Sequence, residues 1–101
     1  MTVADITKVL HEEVQYTILI DHLPSAQRFI EKLTKSNTDR LDWSWVDSKC
    51  EDIEGIYNGI FGLMINPNHF DKNIFMNMVI TDLLPDTTGH LTLKVAYESL
   101  I

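Results

Sequence analysis

The segment Pro85-Asp-Thr-Thr-Gly89 lies between two apolar runs, and it limits the possible folds more than any other stretch of the chain. Proline presets one backbone angle, aspartate and threonine bond to nearby amides, and glycine takes conformations closed to other residues, so the five together make a turn. After the turn, His90 to Glu98 alternates, with Leu91, Leu93, Val95 and Tyr97 on one side and Thr92, Lys94 and Ala96 on the other. That is the period of a strand with one buried face. Before the turn, Ile74 to Leu84 is apolar and contains no Gly or Pro. Two such runs joined by a short turn predict an antiparallel hairpin.

Breaks elsewhere are easy to find, because the chain has only four glycines and three prolines. Thr2 with Asp5 suits a helix cap, and Val3, Ile6, Val9 and Leu10 follow at helical spacing, predicting a helix over Val3 to Glu12. Val14, Tyr16, Ile18 and Ile20 alternate with Gln15, Thr17 and Leu19, a strand pattern. Pro24 then opens a helix that runs to Ser36-Asn37. Phe29, Ile30 and Leu33 form its apolar stripe, while Arg28, Glu31, Lys32 and Lys35 face away. Leu41-Asp-Trp-Ser-Trp-Val46 alternates again and predicts a short strand with Leu41, Trp43 and Trp45 on one side. Residues 51–65 fit two patterns. Ile53, Ile56, Tyr57 and Ile60 have helical spacing, but Gly55, Gly59 and Gly62 weaken a helix. A brief helical or turn segment over Cys50–Tyr57, then a strand over Ile60–Ile65, reconciles them.

At 101 residues the chain is the size of one core, and residues 1–101 read as a single globular domain. The expected class is α+β: a mostly antiparallel sheet of four to five strands, with two or three helices packed on one face. The Ile74–Leu84 strand is apolar on both sides, with Met76 and Met78 on one and Phe75 and Val79 on the other. That suits a central strand, or burial against a second copy in a homodimer.

Charge narrows the partners. The formal net charge is −7, distributed as −3 over residues 1–24, +2 over 25–40, −4 over 41–56 and −2 over the rest. A field of that sign repels phosphate backbones and anionic membrane surfaces, and it speeds encounter with basic proteins. No apolar run approaches the ~20 residues that cross a bilayer, and Met-Thr-Val-Ala-Asp lacks a secretory leader's basic start. Cys50 is the only cysteine, which excludes an internal disulfide and suits the reducing cytoplasm.

Motifs for chemistry are sparse. His11, His22, His69 and His90 are far apart and lack the close ligand pairs of a zinc site, so neither metal nor cofactor is expected. Cys50 lies among Asp47, Glu51 and Asp52, whose charge raises a thiol's pKa and opposes a nucleophilic role. No nucleotide-binding glycine loop or serine elbow is present. Asp42, Asp47, Glu51, Asp52 and Glu54 would supply paired carboxylates, but acidic turns are ordinarily solvated. No catalytic residue is predicted.

Two binding constellations remain. In the first, Trp43 and Trp45 share a strand face ringed by Asp42, Asp47, Glu51, Asp52 and Glu54. Aromatic anchors inside a charged rim have the make-up of an interface hot spot, although tryptophans on a strand's apolar face more often serve as core. In the second, Arg28, Lys32 and Lys35 on the second helix, with Arg40 beyond its end, form a basic patch, as in a winged-helix DNA-binding regulator, against which Glu31 and the total charge both weigh. The leading expectation is a small acidic protein-binding module. An inhibitor, immunity-type or phage-type antagonist that covers a partner's basic surface has this physics, and so does a non-catalytic subunit of a larger complex.

Overall fold

A computed structural model describes residues 1–10 and 14–97. The elements run α1 (Val3–Thr7), β1 (Tyr16–Ile20), α2 (Leu23–Thr34), α3 (Trp43–Cys50), β2 (Ile56–Gly59), β3 (Gly62–Ile65), β4 (Val79–Pro85) and β5 (Leu91–Ala96). Two 3-10 turns, Pro67–His69 and Lys72–Phe75, lie between β3 and β4. The five strands form one sheet in the order β2-β3-β1-β5-β4. Three of its four pairings are antiparallel and β1–β5 is parallel, so the expected α+β class and mostly antiparallel sheet are found.

The Thr2–Asp5 cap forms as a reciprocal pair. Thr2 N–H donates to Asp5 Oδ2 at 2.9 Å, and Asp5 N–H donates to Thr2 Oγ1 at 3.3 Å. Those bonds to Thr2 hold the Asp5 carboxyl below its ordinary range. The helix is shorter than its spacing predicts, ending at Thr7, and His11 and Glu12 of the expected helix lie outside the described residues. Glu98, at the end of the expected last strand, also lies outside them. α2 matches its prediction closely. Pro24 sits in its first turn, Ala26, Phe29 and Ile30 are buried, and Lys35 ends it in the left-handed conformation.

Core residues lie on one side of the sheet. Ile18, Ile20, Leu63, Ile65, Leu93 and Val95 meet Ala26, Phe29 and Ile30 of α2 and Val46 and Cys50 of α3. Phe75 fills the remaining space, with its ring 5.9 Å from Phe29 and edge-on to Phe70 at 6.1 Å.

Three expectations are corrected. Residues 41–46 are not a strand: Asp42 caps a helix by accepting the Ser44 N–H at 2.8 Å, and Trp43, Val46 and Cys50 form its inward stripe. Over 50–65, turns precede a two-stranded hairpin, and Ile60 and Phe61 form its tip instead of starting a strand. The long strand before Pro85 begins only at Val79. Ile74 and Phe75 belong to a 3-10 turn, so Met76 and Met78 share no strand face, and β4 is an edge strand and not a central one.

Both edges of the sheet are blunted. Thr2 bridges Val79, Met1 C=O accepts the Ile80 N–H, the register slips between Ile80 and Asp82, and Asp82 takes the Leu83 N–H. On the far edge, Ile53 C=O accepts the Ile56 N–H, and α3 packs against β2. Open ladder edges invite pairing with other chains, and these devices suppress it.

Candidate functional site

Trp43 and Trp45 do not share a face. Two residues apart on a helix, they project about 200° from one another, and each is half-buried at the margin of the core. Trp45 turns toward Lys49, whose Nζ lies 5.9 Å from its ring. Trp43 turns toward the β2–β3 tip. There it lines a hollow of about 270 Å³ with Asp21, Asn58, Gly59, Ile60, Phe61 and Gly62.

Gln27 fixes the approach to Trp43. Almost fully buried on α2, it donates from Nε2 to Arg40 C=O at 2.7 Å and accepts the Asp42 N–H on Oε1 at 3.0 Å. One side chain thus holds the loop and the first residue of the α3 cap. Gln27→Leu keeps much of the volume but leaves both backbone groups unmatched. A loss of about 1–2 kcal/mol is expected, read as a lower urea midpoint at unchanged slope.

The acidic residues spread out. Asp42 caps α3 and lies 3.5 Å from Arg40; Asp47 and Glu51, a helical turn apart, are exposed; Asp52 and Glu54 follow in the turn, with Glu54 3.8 Å from His69. Asp42 precedes Trp43 in the chain, and Asp47 follows it by one helical turn. Asp21, which is not one of the five acids of the expected rim, lines its hollow. Among the described residues, no group of three His, Cys, Asp or Glu side chains is placed to hold a metal ion.

The residues missed from sequence are Ile60 and Phe61. They are 93% and 73% exposed, at a tip where Gly59 pairs with Gly62. The signal was present as Gly59-x-x-Gly62, two glycines bracketing a two-residue loop. Phe61 also borders a second hollow, of about 300 Å³, on the sheet face away from the helices.

Arg28, Lys32 and Lys35 do share one side of α2 and line a hollow of about 370 Å³. Glu31 lies within it, and Lys32 sits over the Tyr97 ring at 4.8 Å. Arg40 is paired with Asp42. This patch is at the C-terminal part of α2, where the helix dipole disfavours an anion.

Cys50 is sealed at 2% exposure, donates its S–H to Asp47 C=O at 3.3 Å, and has its pKa raised by burial and then by the Asp47 carboxylate. A thiol so placed is inert. Ellman's reagent is expected to leave the native protein unmodified at pH 8 and to titrate one thiol in denaturant. Because the fold holds this proton tighter than the unfolded chain does, stability falls as pH rises past the ordinary thiol range.

Compared with known proteins, the chain matches no family model, no curated protein and no solved structure.

Proposed function

We propose that this chain is a non-catalytic binding module that docks on a basic surface of another protein, with Ile60, Phe61 and Trp43 as anchors. The observation that carries this reading is the near-complete exposure of two large apolar side chains on a tight hairpin tip beside a tryptophan. A two-residue loop held by paired glycines presents such anchors with little entropy left to lose. Carboxylates complete the picture: Asp21 lines the hollow, Asp42 adjoins Trp43, and Asp47, Glu51, Asp52 and Glu54 add to a chain of charge −7. Anchors of this kind supply affinity, and the field supplies encounter rate and choice of partner. An inhibitor or antagonist that covers a cationic site is the form of this activity that the charge favours. The competing reading, DNA binding through Arg28, Lys32 and Lys35, has Glu31 and the total charge against it.

The test compares baits. Wild-type protein and the Ile60→Ser/Phe61→Ser variant are used to capture partners from native extract, and the partner retained is measured by biosensor. Loss of both anchors is expected to weaken binding at least 30-fold, about 2 kcal/mol. Neutralising Asp47, Glu51, Asp52 and Glu54 together should slow association and flatten its salt dependence. A partner held equally by both baits, or one that prefers high salt, rejects the proposal.

A further inference from the structure

The sheet face opposite α2 and α3 carries no covering element among the described residues, and it is not uniformly polar. One row across the strands reads Tyr57, Met64, Leu19, Lys94 and Asp82, and the next includes Thr17, Thr92 and Leu84. Leu19 is nearly buried although it lies outside the core cluster. It floors the hollow of about 300 Å³, walled by Phe61, Met64, Leu84 and Thr92, with Asp21 and Lys94 at its margin. Lys94 is already engaged: its Nζ lies 2.7 Å from Asp21 Oδ2.

We infer that this face is the seat of a basic amphipathic helix contributed by the partner, with one large apolar side chain entering the hollow over Leu19. The inference rests on the binding-module reading and adds the form of the partner. Backbone chemistry selects a helix. An added strand would need an open edge, and both edges are blunted: one by Met1, Thr2 and the slipped register at Ile80/Asp82, the other by the Ile56–Ile53 bond and the packing of α3 on β2. A segment laid on the face instead must satisfy its own amides, as a helix does. Charge selects the sign. Lys94 and Asp21 neutralise one another, Asp82 beside them on β4 adds an acid that this pair does not cancel, and the net charge of −7 opposes a second copy of the chain.

The test uses two 18-residue peptides of leucine and lysine, one patterned as an amphipathic helix and one with the same residues scrambled. Each is titrated into ¹⁵N-labelled protein at 50 mM salt. Amide shifts at Leu19, Met64, Leu84, Thr92 and Lys94, with affinity at least tenfold above the scrambled peptide, are expected. Thr92→Arg, which puts a cation in the hollow, and Asp82→Asn, a milder change on an exposed side chain, should each weaken the patterned peptide, the first tenfold or more. Shifts confined to Ile60 and α3 overturn the helix seat while leaving the binding module intact. Equal binding of both peptides overturns the seat as well, and no binding of either at low salt overturns both. Sedimentation of the protein alone as a dimer whose interface protects Leu19 and Met64 from hydrogen exchange overturns it in favour of a second copy.

Discussion

Phe75→Ala is expected to lower the unfolding free energy by about 3–5 kcal/mol, the usual cost of removing a buried aromatic ring. The side chain has no exposed surface, and it contacts Phe29 of α2 and Phe70 of the preceding turn. Its backbone belongs to a 3-10 turn, which cannot move inward without breaking the Asp71 cap on Asn73 N–H at 3.0 Å. The cavity should therefore stay open. Domains of this size have about 5–15 kcal/mol in total, so the variant loses a large share of its stability. Urea unfolding followed by tryptophan fluorescence checks it, and Phe75→Leu should recover at least half. A loss below about 1 kcal/mol would place Phe75 outside the core.

Gly62→Ala is the second large effect, at roughly 2–3 kcal/mol. Gly62 has φ +129, a conformation that L-residues avoid, and an added Cβ would stand 2.7 Å from Ile20 C=O and 2.9 Å from Asp21 Cα. Both obstacles are backbone of the central strand and the residue after it, so neither can swing aside. Gly89 separates the two causes. Its φ is +86, with nothing within 4 Å of an added Cβ, and Gly89→Ala should cost only about 1 kcal/mol. Similar losses at both positions would mean that conformation, not collision, sets the penalty. Because Gly62 closes the tip that carries Ile60 and Phe61, its variant should also weaken partner binding.

The β4–β5 hairpin and α2 were legible from sequence because each pattern runs long enough to exclude its rival. Leu91, Leu93 and Val95 alternate over a whole strand, and Phe29, Ile30 and Leu33 repeat behind a proline start. Over Leu41–Val46 the window is too short. Leu41, Trp43 and Trp45 alternate, yet Trp43, Val46 and Cys50 also have helical spacing, and Asp42 is as good a cap as it is a turn residue. Long-range contacts decided between them: α3 covers the β2 edge, and Gln27 holds its cap. The Trp43–Trp45 face failed with that strand, whereas Trp43 itself stayed at the candidate surface. Ile60 and Phe61 were hidden for another reason. Apolar residues in sequence signal burial, and only the fold tells which of them are left in water.

The parallel pairing of β1 with β5 joins Tyr16 to Leu91 and Leu19 to Lys94, partners 75 residues apart along the chain. Closing so long a span taxes chain entropy before its contacts give anything back, which slows folding relative to domains with local pairings. On the ribosome, Ile18 and Ile20 emerge first but cannot be flanked on both sides until Val95 has left the exit tunnel. The nascent chain therefore holds its most apolar strand with at least one side open throughout its emergence, the period when a chaperone would matter most.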